Sequence, residues 1–561
     1  MNLDLSVTSF SVRGAYLAIC ELPAGLFLKT LRGGTGNPLI CRLVPLYDGQ
    51  PTAYTCKASP SELVLSCDHG TIKICFAAAG ILLFKGQGEK IGLRFEKTPD
   101  TSGFKYVHEV RYKEKIHHMM VVPQGRSRYI AHGMEGSAEV RQDWVFNDAR
   151  VCTMDFLAEN GGFFCALEEV FPEWEPKEYA FDFGQCVEAV QADFDAFYRS
   201  MPQVPEEFES VRELAAYVNW SAYVKKSGQF KRDAMLMSKN WMAGVWSWDH
   251  CFNAVALSYG NPKEAWDQFM LVFDLQDASG RLPDRITDTY SSNNFCKPPV
   301  HGWTLLKMAE RVDLTVEQCA EAYDKLSRQT DWWLNCRDGD EDGICEYWHG
   351  NDSGWDNATA FRLLPPIESP DLAAYLVIQM EALAMLAVKL GLQSDAGEWR
   401  EKSERMLENM VRHCYRDNKP VALQSGTHRE SRNDSLLLYM PVILGKRLPE
   451  PILAHTLETL KSGRFLTEHG YATESPASPD YTPDGYWQGP IWAPPTMLIV
   501  DGLKQCGELE LARDIARRFC GMVKKSGFAE NFDAKTGRGL RDPAYTWTAS
   551  VFLILANGLM E

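Results

Sequence analysis

The sequence has no phosphate-cradling glycine loop: neither GxxxxGK[ST] nor a GxGxxG between a strand and a helix occurs in its 561 residues. Nucleotide chemistry thereby loses its usual anchor, backbone N–H groups gathered around a phosphate. A GxSxG turn for a serine nucleophile is missing, as are CxxC pairs. His117-His118 and His349 lack the spacing of a zinc protease or finger and read as ordinary polar or packed histidines. Positive charge is scarce. With 58 Lys and Arg against 75 Asp and Glu, the formal charge is −17, which repels nucleic acid and anionic lipid over most of the surface. No run of about 18 uncharged apolar residues is present, and MNLDLSVTSF lacks the basic start and apolar stretch of a secretory signal. The expectation is a cytoplasmic protein with no membrane and no nucleic-acid partner.

What is present is globular. Hydrophobic residues at 45% are ordinary, while 16 Trp, 21 Tyr and 27 Phe make a rich aromatic set. The 16 cysteines are spread from Cys20 to Cys520, mostly in apolar runs such as Thr71-Ile-Lys-Ile-Cys-Phe76, in a chain large enough to need no staples. They read as buried reduced thiols.

Two hydrophobic periods divide the chain. Over 1–185 the period is two: Ile72, Ile74 and Phe76 alternate with Lys73 and Cys75, and Ile91, Leu93 and Phe95 with Gly92 and Arg94. Turn residues at Asp68-His-Gly70, Gly86-Gln-Gly88 and Asn160-Gly161 separate short strands, which predicts an antiparallel β-sandwich. After a linker helix over 186–204, the region 205–561 has a period near 3.6. Asn261-Pro262 with Glu264, and Thr315 with Gln318, have the form of capping boxes, Ser369-Pro370 opens a long apolar run, and Gly391 supplies a left-handed stop. Twelve helices are predicted, near 205–226, 248–258, 262–275, 299–311, 316–336, 370–390, 395–414, 432–444, 450–461, 488–505, 508–525 and 545–558. Six antiparallel pairs close into an all-α (α/α)6 barrel, the expected catalytic domain.

Five inter-helix loops carry more aromatic and acidic residues than a connection needs: 246–249, 276–284, 351–357, 485–492 and 527–537. For any single loop, Trp packing a core and Asp or Asn capping a helix explain the composition well enough. Five together point elsewhere. Aromatic faces stack on the C–H surfaces of sugars while carboxylates and amides bond the hydroxyls. Breaking a glycosidic bond takes one protonated carboxyl and one ionised carboxylate. Asp356 follows Gly354-Trp355, an apolar neighbour that raises a carboxyl pKa, and Glu530 lies between Phe528 and Phe532. Composition alone does not single out this pair among 75 acidic residues.

These loops resemble glycoside hydrolase family 63, whose clan includes the family 37 trehalases. The likeness covers roughly 205–561 and rests on Trp-x-Trp-Asp at 246–249, Gln276 with Gly280-Arg-Leu-Pro283, Ser-Gly-Trp-Asp-Asn at 353–357, Tyr-Trp-x-Gly-Pro-Ile-Trp at 486–492, and Glu-Asn-Phe-Asp-x-x-Thr-Gly at 530–537. The resemblance implies an exo-acting, inverting α-glycosidase with a β-sandwich before the barrel. By motif position Asp356 corresponds to the general acid and Glu530 to the general base. Trp248, Asp249, Gln276, Trp355, Tyr486, Trp487, Gln488 and Trp492 fall on sugar-pocket positions. Gln488 departs from the family, which often has Arg there, exchanging a cationic fork for a neutral amide.

The expected partner is a small carbohydrate, with no cofactor and no metal. Asp338-Gly-Asp340-Glu-Asp342-Gly343 resembles the opening of a calcium loop, but an EF-hand would have Glu where this chain has His349, so an acidic turn is expected. Competing functional readings are a sugar phosphorylase, epimerase or lyase on the same barrel, and a catalytically silent sugar-binding protein.

Overall fold

The computed structural model describes residues 1–34, 38–101, 104–123 and 127–561. Among the described residues, alternating apolar strands build two antiparallel sheets. One holds Leu17–Leu22, Gly25–Thr30, Leu39–Tyr47, Ile91–Glu96, Asp148–Leu157 and Ser137–Val145 in that spatial order, with Gln50–Pro51 beside the third. The other runs Tyr106–Tyr112, Lys115–Val122, Ser127–Glu135, Gly162–Val170, Ile81–Gln87, Gly70–Ala78, Leu63–Cys67, Thr55–Ala58. Their inner faces meet through residues such as Phe84, edge-on to Phe95 at 5.1 Å between centroids. The first strand pattern noted in the sequence is apolar on both faces for a reason: Ile72, Ile74 and Phe76 enter the main core, whereas Cys75 joins Leu83, Phe164 and Phe183 under a helix. That helix, α1 (Phe183–Ser200), covers the outside of the second sheet and leads to the barrel.

One expected turn is displaced. Gly86 lies inside the strand Ile81–Gln87, because the Phe163 ring of the neighbouring strand crosses over it and a Cβ there would come within 2.1 Å of that ring.

The helical half follows the 3.6-residue pattern closely. The helices are α2 (Glu209–Ala222), α3 (Asp249–Leu257), α4 (Pro262–Met270), α5 (His301–Ala309), α6 (Val316–Cys336), α7 (Pro370–Lys389) and α8 (Gln393–His413). After an irregular segment, Leu436–Arg447, come α9 (Glu450–Lys461), α10 (Ala493–Cys506), α11 (Leu509–Ser526) and α12 (Thr546–Asn557). The irregular segment is 3-10 rather than α because Pro441 donates no N–H and Gly445, at φ 57°, breaks the run. The Thr315 capping box forms as its sequence demands, with Gln318 N donating to Thr315 Oγ1 at 3.2 Å and Thr315 N to Gln318 Oε1 at 3.0 Å. The one expected at Asn261 does not form. The Asn261 amide instead donates to Ser200 Oγ and Glu264 pairs with Arg13 at 2.7 Å, so both side chains are used to join the barrel to α1 and the N-terminal segment.

Elements alternate around the barrel. α3, α5, α7, Leu436–Arg447, α10 and α12 touch in that order and close back on α3, while α2, α4, α6, α8, α9 and α11 pack outside. Inner elements are buried nearly all round, as every residue of α3 is. Outer ones are amphipathic, as in α11, where Ala512, Ile515, Ala516, Phe519 and Val523 form one buried stripe. α7 is long and apolar enough to cross a membrane, yet 83% of its most apolar window is buried, as befits an inner barrel helix. All sixteen cysteines are free, most of them buried.

Alternation makes the inner elements parallel, so their N-termini share one end of the barrel. Close approach within the ring depends on small residues. A Cβ on Gly302 of α5 would lie 2.3 Å from Gln379 Cα of α7, backbone that cannot move alone. Gly302→Ala is expected to destabilise the fold by about 1–3 kcal/mol, the usual range for overpacking, read as a lower denaturant midpoint at unchanged slope. An unchanged midpoint would show that the ring yields freely there.

Candidate active site

A pocket opens at the end where the inner helices begin. Each wall is the stretch of chain entering an inner helix: Trp246, Trp248 and Asp249 at α3, Lys297 before α5, Gly354 and Asp356 before α7, Tyr486 and Trp487 before α10, and Glu530, Tyr545 and Trp547 at α12, with Met242 at the rim. The barrel therefore gathers four of the five loops distinguished in the sequence around one small space.

The floor is aromatic. Trp487 and Trp492 stack at 3.9 Å and 6° between planes, Trp355 follows at 4.9 Å, and Trp248 and Trp547 close the cluster at 5.7 Å edge to face. Tyr486 has φ 64°, a left-handed conformation held by its neighbours: its carbonyl accepts from Trp492 Nε1 at 2.9 Å and its ring stands edge-on to Trp492 at 4.9 Å. Gly354 is required on two counts, a φ of 75° and the Trp248 ring 2.7 Å from where a Cβ would be.

Carboxylates stand above this floor. Lys297 is buried; its Nζ lies 3.4 Å from Asp284 Oδ1 and 3.5 Å from Asp356 Oδ1, and donates to Asn351 O at 2.8 Å. Burial works against the ammonium, but the Asp356, Asp284 and Asp249 carboxylates outweigh it and hold Lys297 charged. Burial pushes the Asp356 carboxyl above the usual range, with Lys297 pulling it back, and pushes buried Asp249, in the first turn of α3, well above it. Burial and then the Asp542 carboxylate raise Glu530 to about 7, against Arg541 and a hydrogen bond from Tyr486 OH at 3.3 Å.

Not every residue singled out in the sequence faces the pocket. Trp248, Asp249, Tyr486, Trp487, Asp356 and Glu530 do. Trp355 and Trp492 are buried behind Trp487 as its support. Gln276 is outside the lining, its amide donating to Gly280 O and Lys325 O at 2.9 Å each, so it shapes its own loop. Gln488 is a clamp: its Nε2 donates to Asn357 O at 2.7 Å while Trp487 N donates to Asn357 Oδ1 at 2.9 Å, tying the α7 loop to the α10 loop. A neutral amide serves that purpose without adding a cation beside Asp356. Sequence reasoning did not find Lys297, Asp284, Tyr545 or Trp547. Nothing in the local pattern singles out Lys297 among the 58 Lys and Arg; its role arises from burial among carboxylates.

An (α/α)6 barrel behind a β-sandwich, with acids over an aromatic floor at the helix N-termini, defines the class of glycoside hydrolases built on this fold. Residues 242–548 match the family described as the mannosylglycerate hydrolase MGH1-like glycoside hydrolase domain. The chain belongs to that family, within glycoside hydrolase family 63. The mannosylglycerate hydrolase of Thermus thermophilus is 20% identical over 385 residues, 55% of this chain and 93% of that protein. The glucosylglycerate hydrolase of Mycolicibacterium hassiacum is 21% identical over 405 residues, 55% and 91%. Among solved structures, the family 63 mannosylglycerate hydrolase from T. thermophilus in complex with Tris superimposes with a TM-score of 0.54 at 18% identity, over 60% of this chain and 98% of that one. A bacterial glucoamylase complexed with acarbose does so with a TM-score of 0.64 at 11% identity, over 100% and 95%. The second likeness shows that the sandwich belongs to the shared architecture.

The raised Glu530 value has a consequence for stability. Between its ordinary 4.5 and about 7 the folded state holds a proton that the unfolded chain has released, so stability falls as pH rises through that window. Glu530→Gln removes this cost. Above pH 7 the variant is expected to be the more stable by on the order of 3 kcal/mol, and below pH 4.5 the two should coincide. Thermal denaturation across pH checks this; a pH-independent difference would contradict it.

Proposed function

We propose that this chain is an exo-acting, inverting α-glycosidase of a small glycoside, a hexose joined to a short acidic aglycone of the glycerate kind. The reading is carried by one observation: Asp356 and Glu530, delivered by two different loops, line the same pocket above the Trp487 floor. The relatives named above support the substrate class, and the aromatic loops crowded around one end of the barrel support removal of a single terminal sugar.

In this mechanism Asp356 protonates the departing glycosidic oxygen while Glu530 takes a proton from water attacking the anomeric carbon on the opposite face. A base with a pKa near the working pH combines the right protonation state with useful proton affinity. Glu530, at about 7, fits that description. Lys297, shared with Asp284, is placed to hold the charge that Asp356 acquires when it gives up its proton. Tyr486 orients Glu530 through its hydroxyl.

One observation favours the reverse assignment. Glu530, raised to about 7, is still about half protonated near neutrality, and Asp356 is the one beside a cation. A leaving group that needs no protonation separates the two. Asp356→Asn and Glu530→Gln are each expected to cut turnover of α-hexosyl glycerates at least ~100-fold, with wild-type enzyme releasing free sugar of inverted anomeric configuration without added phosphate. An α-glycosyl fluoride should restore Asp356→Asn and not Glu530→Gln. Restoration of the Glu530 variant instead would exchange the roles, and retained configuration or a phosphate requirement would end the proposal.

A further inference from the structure

A second cluster of ligating side chains lies away from the pocket. A ligating atom from each of Asp342, Glu368, His413 and His428 falls within 4.8 Å of the other three. The four come from separate elements: the acidic loop after α6, the short strand Ile367–Glu368, the last residue of α8, and the turn joining strands Leu423–Gln424 and Arg429–Glu430.

The geometry is that of a coordination shell. Asp342 Oδ2 stands 3.2 Å from His413 Nδ1 and 3.4 Å from His428 Nε2. Tetrahedral coordination with bonds of about 2.0–2.1 Å places ligand atoms about 3.3–3.4 Å apart. These contacts are short enough for hydrogen bonds, yet Asp342 Oδ2 is buried without one. On the far side of the His413 ring, Nε2 is bonded to Glu368, a fully buried carboxylate whose other oxygen has no hydrogen-bond partner. A carboxylate behind an imidazole whose other nitrogen faces a carboxylate and a second imidazole is the arrangement that fixes ring tautomer and orientation in histidine metal sites.

We infer that His413 Nδ1, His428 Nε2 and Asp342 Oδ2 bind a zinc-class divalent ion, with Glu368 orienting His413 from behind. The fourth position falls to water, because Asp340 Oδ2, 3.0 Å from His428 Nε2, already accepts from Gly426 N at 2.7 Å. Imidazole nitrogens select zinc and its neighbours over calcium, which takes an all-oxygen shell. Asp338 is outside the ligand set, because its oxygens accept from Asp342 N at 3.1 Å and Gly343 N at 3.0 Å and thereby shape the loop. The ion would tie α8 and the 423–430 hairpin to the loop that leads, through Glu346–Tyr347, into the 350–356 segment carrying Asp356.

Chelator-stripped protein titrated with zinc is expected to take up one ion per chain, to melt at a higher temperature, and with cobalt(II) to show the visible d–d bands of tetrahedral nitrogen and oxygen coordination. His428→Gln, at a half-exposed turn position, should abolish binding while leaving the fold intact. Glu368→Gln should weaken it ~10- to 100-fold, and Asp338→Asn should leave it in place. Absence of zinc binding, binding that survives His428→Gln, loss in Asp338→Asn, or calcium taking the same site in preference to zinc would each overturn the inference.

Discussion

A single buried ammonium among carboxylates is the constraint around which the catalytic end is organised. Lys297 has Asp284 and Asp356 within 3.5 Å and feels Asp249 as well, in a place where water is largely excluded. Burial in a low dielectric disfavours the charged forms of Asp249, Asp284 and Asp356 and moves all three carboxyls above the usual range, while the one cation, Lys297, pulls them back. Removing the lysine would leave the carboxyls without their counter-charge, and removing the carboxyls would strand the lysine; neither part is stable without the other.

The scaffold holds this arrangement from two sides. From below, the inner ring starts its helices at one level, and the Trp487–Trp492 stack with Trp248 and Trp547 fixes the loops above them. From the side, the N-terminal segment locks the chain that enters α3: Lys239 Nζ donates to Ser11 Oγ, Val12 O and Ala15 O, and Asn240 Nδ2 donates to Val7 O and to Asp542 Oδ1. Asp542 in turn is the carboxylate that lifts Glu530, and its carbonyl accepts from Glu530 N at 2.7 Å. The sandwich segment is thus linked through Asn240 and Asp542 to one of the two proposed catalytic groups.

Elements with a strong local signal were legible in the sequence. Outer helices such as α8, burying Trp399, Met406, Leu407 and Met410, declare themselves by an amphipathic stripe. Inner helices have no polar face, yet their length and their flanking Pro and Gly still mark them. The site was legible as loops rather than as a constellation. Trp248, Asp249, Tyr486 and Trp487 face the pocket, while Gln276 and Gln488 spend their amides on backbone carbonyls, a choice made by neighbours distant in the chain.

What the sequence by itself determined is therefore periodic or short-range: two halves of different repeat, twelve helical segments, and aromatic-acidic loops between them. The tertiary structure decided which long-range neighbours each polar group would meet. Lys297 became the central cation only when Asp284 and Asp356 closed on it, and the acidic turn at 338–343 gained imidazoles only when His413 and His428 arrived from the end of α8 and a hairpin far along the chain. Electrostatics falls off over a few ångströms of space whatever the separation in sequence, so charge and proton affinity belong to the fold, while helix and strand belong to the pattern.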